Sequence, residues 1–419
     1  MSDPIRVAVV GGSGVATPEL IDALKRRADR PALHITLIGR SLDKLEAVGA
    51  MCHRLAANTD PPITVSTCAD TRRGIEGADY IVNQIRVGGY QQRAFDEIFP
   101  REFGIPGEET IGPGGMNMAL RTIPVALKLC RDIQEIAPDA LLINLTNPSS
   151  MVQYAMQSRS AVKVVSICDL PMMARHSLCE MLGIPEREAV VRYTGMNHFG
   201  WVNSIVWKNQ EWLPAALNKL AGMPNPPIEP EIVQALGVIP TSYFRYVYHA
   251  NRVLTAQQGK PARAEALMAL EVEIMSAYQS GESDGKPAPL IKRNAAWYDH
   301  MIVPLLLDHA NDTGQVQVLQ VRNMSTHGIA LPFMPPASIV EVPCVVRKNG
   351  ILPLAYDDGL PLDCEAMLLN NAAFEMLWAE SATDLDRSKA LRAMLLNPLV
   401  SHYDQAKGLL DTMWPANGG

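Results

Sequence analysis

IRVAVVGGSGVATPEL, residues 5–20, is the stretch from which the fold is read. Ile5–Val10 is an apolar, β-branched run of strand length, and Gly11, Gly12, Ser13 and Gly14 follow it as a tight turn. Thr17 suits a helix N-cap, Pro18 the first helical position and Glu19 the positive end of the helix dipole, which predicts a helix to about Arg27. A second strand over His34–Ile38 completes a βαβ unit. Glycines between the first strand and its helix let a pyrophosphate approach the backbone at the helix N-terminus. Thr17 stands where the dinucleotide fingerprint prefers a third glycine, so the match is incomplete.

Working outward, strands and helices keep alternating. Strands are expected at Ile63–Thr67, Tyr80–Ile85, Leu141–Leu145 and Val162–Ile167, with a helix over Met118–Ile136. This rhythm predicts an α/β fold: a Rossmann-type doubly wound parallel sheet over residues 1–194 that binds the nucleotide. Beyond Gly195 it gives way to long helices, Glu265–Ser280 and Leu362–Glu380, around a strand-rich segment, 316–346. Residues 195–419 are therefore read as a mixed α+β domain for substrate, metal and oligomerisation. A second-strand acid usually meets the ribose of NAD. Here Arg40 occupies that end with Asp43 just beyond, so Arg40 suits a 2′-phosphate and leaves NADP open beside NAD; Asn83, in the fourth strand, joins this cofactor set.

Bulk properties bound the rest. The 419 residues, 47% hydrophobic and 19% charged, suffice for two packed cores. A net charge of −7 argues against nucleic acid or an anionic membrane as partner, and an anionic small molecule would need local arginines. No signal-like start or membrane-length apolar run is evident, and seven irregularly spaced cysteines make a poor disulfide framework, so a cytoplasmic protein is expected.

Polar sequence gathers at strand exits, where open α/β sheets bind ligands: Arg86 in QIRVGGYQQR, Asn147 in NLTNPSS, and Cys168 and Asp169 in CDLP. About 30 residues later GMNHFGW carries His198. A thiolate and an imidazole together suit a borderline divalent ion with positions left for substrate, although both residue types also serve as packing. The glycine-rich stretch 103–125 reads as a loop covering a ligand or, equally well, as a solvent-exposed connection. His249 and His327 are read as structural, and the helix from Asp363 to Glu380 as a possible subunit contact.

Taken in order, GGS…TPEL (11–20), IRVGGY (85–90), GPGG…ALRTIPV (112–125), NLTNP (144–148), ICDLP (167–171) and GMNHFGW (195–201) resemble the NAD- and metal-dependent glycoside hydrolases of family 4. LGVIPTSYFRYVYH (236–249), KRNAAWY (292–298), VEVPCVV (340–346) and ALRAMLLNPLV (390–400) carry the resemblance through the second half. The family includes 6-phospho-α- and 6-phospho-β-glucosidases and depends on NAD for hydrolysis, outside the two-carboxylate scheme. The resemblance implies a lactate/malate dehydrogenase-like fold, homodimers or homotetramers, and a phosphorylated glycoside as substrate. It implies Cys168 and His198 as ligands of a divalent ion, usually manganese. Tyr243 would be the base at the sugar's C2, with Tyr246 second, and Asp169 the leaving-group acid of α-type members. Arg86 and Arg293 would meet the phosphate and Asn147 the sugar. Three departures stand out: Asn294-Ala295 where relatives have two glycines, Glu108 in GEET where they have GQET, and Arg40 in place of an acid. The competing readings are a hydrolase of unphosphorylated or sugar-acid glycosides, an ordinary NAD(P)-dependent dehydrogenase, and a non-catalytic nucleotide-binding redox sensor.

Overall fold

A computed structural model describes residues 3–281, 285–326, 328–354 and 359–414. The first half runs β1 (Ile5–Val10), α1 (Pro18–Lys25), β2 (Leu33–Ile38), α2 (Leu42–Ala56), β3 (Ile63–Cys68), α3 (Thr71–Gly74) and β4 (Tyr80–Asn83). It continues through α4 (Gly89–Glu102), α5 (Gly112–Ile136), β5 (Leu141–Asn144), α6 (Ser149–Arg159), β6 (Lys163–Ser166) and α7 (Asp169–Leu182). The six strands are parallel in the order β3-β2-β1-β4-β5-β6, that of a dinucleotide-binding sheet, with its switch point between β1 and β4.

The expected strands match to within two residues at each end; all but the edge strand β3 are short runs largely buried on both faces. Val7 and Val9 of β1 enter one core cluster, Ala8 and Val10 the other, as the two-residue side-chain period requires.

The second half extends the same sheet antiparallel. Hairpin β7 (Val190–Met196) and β8 (Phe199–Trp207) follows α7, and strands Val316–Arg322 and Ile339–Arg347 lie between β7 and β6. Both halves therefore share one sheet. Helix Arg263–Ser280 packs on α2 and α4, and its Tyr278 hydroxyl donates to the Val15 carbonyl at 2.6 Å, bracing the glycine turn.

Two expectations change. The glycine-rich stretch does not remain a covering loop; its GPGG opens α5, six residues before the helix start expected at Met118. A Cβ on Gly114 would stand 2.1 Å from the Glu108 carbonyl oxygen, so the missing side chain lets this helix begin against the preceding irregular segment. Within the chain, helix Leu362–Asp384 packs on α5 and α6. Thr17 precedes α1, but its side chain does not cap it; Thr17 Oγ1 instead accepts from Gln84 Nε2 at 3.0 Å.

Candidate active site

One cavity of about 650 Å³ runs along the carboxyl ends of the parallel strands. Gly11, Ser13, Gly14 and Arg40 line it, together with Arg86, Asn147, Cys168, Asp169, His198 and Arg293. The sheet's geometry brings these together, since β1, β4, β5 and β6 all end on this edge.

The nucleotide end is a close-packed turn. A Cβ on Gly12 would meet the Val9 carbonyl oxygen at 2.8 Å and the Ile38 nitrogen at 2.9 Å, both backbone, so only glycine fits. Gln84 Nε2 bonds the Gly11 carbonyl at 3.2 Å, and the Tyr298 hydroxyl donates to Gln84 Oε1 at 2.7 Å. The turn is thus rigid before any ligand arrives, and its shape fits a pyrophosphate. Arg40 is exposed on the cavity wall and has no ion pair among the described residues, whereas nearby Lys44 is paired with Glu271 at 2.6 Å. Two expected cofactor contacts change. Asn83 is fully buried beneath the cavity, its amide donating to Asn144 Oδ1 at 2.9 Å, so it fixes strand spacing. Asp43 sits exposed in the first turn of α2 and does not line the cavity.

At the chemical end, Cys168 leaves β6 and precedes α7, and Asp169 begins that helix. His198 occupies the β7–β8 turn in the left-handed region, φ 61°, which aims its ring back towards the sheet edge. Burial depresses the imidazole to about 4, so it is neutral at pH 7 and keeps a lone pair. Burial, with the charges of Glu341 and Asp169, pushes the Cys168 thiol well above its ordinary range. Such a thiol ionises when a cation arrives to take the thiolate. Among the described residues no cluster of three or more His, Cys, Asp or Glu is placed to hold an ion. A soft sulfur and an imidazole nitrogen with remaining positions open are a donor set that fits a borderline divalent metal shared with substrate.

Tyr243 lies in a 3₁₀ turn, Ser242–Phe244, and stacks on His198 with centroids 4.2 Å apart. The turn is held because Phe244 packs between Phe199 and Trp201, at 4.5 and 4.6 Å, the aromatic pair that follows His198 in sequence. Burial and the Glu108 carboxylate push the phenol well above its ordinary value. A base role therefore requires positive charge beside it. Tyr246 lies one turn on, under the Arg245 guanidinium. Asp169, half-buried, is raised by burial, which favours the protonated form an acid needs.

Arg86 forms an ion pair with Glu109, whose other oxygen accepts from Arg93 at 2.7 Å. Sequence reading singled out Arg86 and missed Glu109, although the two adjacent acids Glu108-Glu109 in a glycine-rich stretch were a signal. Arg293 lies 5.0 Å over the Trp297 ring, and its buried Nε lacks a hydrogen-bond partner among the described residues. Asn147 lines the wall between them. His249 Nε2 accepts from the Glu229 amide at 3.3 Å, as a structural histidine does. His327 lies outside the described residues.

Comparison with known proteins matches two family models, "Family 4 glycosyl hydrolase" over residues 6–184 and "Family 4 glycosyl hydrolase C-terminal domain" over 193–400. A probable 6-phospho-beta-glucosidase of Bacillus subtilis is 33% identical, covering 100% of this chain and 97% of that protein. A 6-phospho-alpha-glucosidase of Leptotrichia buccalis is 27% identical over 98% of this chain and 97% of its own. The 6-phospho-beta glucosidase of Thermotoga maritima, solved with manganese, NAD+ and glucose-6-phosphate, has the same fold: TM-score 0.89, 23% identity, 99% and 98% coverage.

Proposed function

This chain belongs to glycosyl hydrolase family 4, and we propose that within it the enzyme cleaves 6-phosphoglucosides using NAD and a divalent ion, manganese first. One observation carries the reading: the nucleotide turn and the Cys168–His198 pair open into the same cavity, which Arg86 and Arg293 also line. When bound, NAD supplies a hydride acceptor for the sugar's C3 and the ion supplies Lewis acidity at its hydroxyls.

This chain's residues do the remaining work. Cys168 and His198 would hold the ion; Gly11, Gly12, Ser13 and Gly14 form the turn that receives the pyrophosphate. Tyr243 takes the C2 proton made acidic by a ketone at C3, and Asp169 passes a proton to the departing glycosidic oxygen. The aglycone then leaves as a β-substituent, which replaces direct rupture of the anomeric bond. Water would add at C1 of the resulting enone, C2 would regain a proton and the C3 carbonyl would be reduced again, so that the nucleotide is not consumed. Arg86 and Arg293 bind the 6-phosphate and Asn147 orients the ring. An arginine already held by Glu109 is fixed in direction, and the free Nε of Arg293 awaits an acceptor; both favour a planar, bidentate anion contact. The seven cysteines are all unpaired, which supports a reducing, cytoplasmic setting.

Asp169 favours the α-linkage, while the relative at 33% identity is named for the β-linkage. The test is p-nitrophenol release from α- and β-linked 6-phosphoglucosides with NAD, manganese and reductant omitted in turn. The reading expects cleavage of one anomer above the other, abolished without nucleotide or metal. Hydrolysis indifferent to NAD overturns it, and activity confined to unphosphorylated or sugar-acid glycosides moves Arg86 and Arg293 to another anion.

A further inference from the structure

We propose that Thr110 and Glu108 are positioning residues: together they fix His198 in the Nδ1–H tautomer, leaving the Nε2 lone pair for the metal. The inference rests on the reading of His198 as a ligand, and adds what decides which of its nitrogens can bind.

Four distances carry it. Thr110 Oγ1 lies 2.8 Å from His198 Nδ1 and 2.6 Å from Glu108 Oε2. The same Oε2 accepts the backbone N–H of Thr110 at 2.5 Å and of Ile111 at 3.0 Å. A hydroxyl has one proton and two lone pairs. An oxygen that already receives two amide protons is the acceptor end of a third bond, so the Thr110 hydroxyl donates to Glu108. Its lone pairs then face His198, and only an N–H at Nδ1 can complete that contact. The direction follows from counting donors, whichever charge Glu108 carries.

Nothing else sets the tautomer. Tyr243 stacking and the positive φ fix the plane and entry angle of the ring, but neither distinguishes its two nitrogens. Among the described residues no hydrogen bond engages Nε2, and His198 lines the cavity. Thr110 and His198 are each 6% exposed, so water does not compete for the contact. The start of α5 at Gly112 turns the Glu108–Ile111 segment tightly enough for one carboxylate oxygen to gather all three donors. Metal-bound histidines generally depend on such a partner at the other nitrogen, and losing it typically costs about 10–100-fold in metal affinity. Here the partner is a threonine with a carboxylate behind it.

The experiment titrates Mn2+ into the full-length protein with NAD present, following free ion by electron paramagnetic resonance. Thr110→Val, which keeps the shape and removes the hydroxyl, is expected to weaken Mn2+ about 10-fold or more, and Thr110→Ser to restore it to within about 3-fold. Glu108→Gln, which retains an acceptor oxygen, is expected to bind like the wild type, and Glu108→Leu like Thr110→Val. NAD affinity is expected to hold in all four. Unchanged Mn2+ binding in Thr110→Val overturns the inference. His198→Ala separates the two levels: wild-type Mn2+ binding there refutes the ligand itself, not the tautomer. If Thr110→Val does not fold, ¹⁵N-histidine spectra of the metal-free wild type decide directly, since a proton on Nε2 of His198 overturns the inference and one on Nδ1 bears it out.

Discussion

Glu341 lies fully buried on strand Ile339–Arg347, with Oε1 accepting from Gln320 Nε2 at 2.9 Å. Burial pushes its carboxyl up to about 8, against an ordinary value of 4.5, and the hydrogen bond from Gln320 only partly offsets this. A carboxyl raised in the folded state binds its proton more tightly there than in the unfolded chain. Its contribution is complete below 4.5 and is lost as pH rises towards 8. Each pH unit in that window costs about 1.4 kcal/mol, so by pH 7 the loss approaches ~3 kcal/mol, against ~1 kcal/mol at pH 5. Glu341→Gln removes the titration while keeping an oxygen for Gln320, so the variant regains those amounts. An unfolding entropy of roughly 2 cal/mol/K per residue gives about 0.9 kcal/mol/K for a chain of this length. The expected Tm gain is therefore about 3–4 °C at pH 7 and about 1 °C at pH 5, read by calorimetry in parallel buffers. A variant no more stable than wild type at pH 7, or a gain independent of pH, refutes the argument that Glu341 is neutral in the fold.

Three further outcomes are expected. Arg86→Ala should raise KM for a 6-phosphoglucoside by about 10–100-fold, the worth of a charged hydrogen bond, with NAD affinity unchanged by fluorescence titration. Asp169→Asn should slow glycosides with alkyl aglycones by about 10²-fold or more but barely affect p-nitrophenyl substrates, whose leaving group needs no acid; paired kcat measurements check it. Arg40, exposed at the end of β2 without an acidic partner among the described residues, should allow NADP to bind within about tenfold of NAD, and Arg40→Asp should lower NADP affinity by about 1.5–3 kcal/mol while sparing NAD.

The parallel sheet was legible because β1, β2, β4, β5 and β6 are short apolar runs ended by polar or glycine residues, and both faces are covered. The glycine turn was legible for the same reason that Gly12 tolerates no side chain: backbone crowds it from two strands. That Arg86, Asn147, Cys168 and Asp169 leave neighbouring strand ends was enough to place them in one cavity with His198. What stayed hidden depended on contacts between segments distant in sequence. The Arg86–Glu109–Arg93 chain, the Glu108–Thr110–His198 contact and the packing of Phe244 on Phe199 and Trp201 each join elements that no local pattern relates. Asn83 misled because a polar residue at a strand end looks the same in sequence whether it faces a ligand or, as here, a neighbouring strand's Asn144.

The central claim is that the C2 proton leaves the sugar during cleavage. The most direct measurement is turnover of a 6-phosphoglucoside in D₂O with NAD and manganese, followed by mass and proton spectra of the released sugar phosphate. The account predicts deuterium at C2, introduced by exchange through the base. Full-rate cleavage to a product that retains hydrogen at C2 would contradict it and return the reaction to direct hydrolysis.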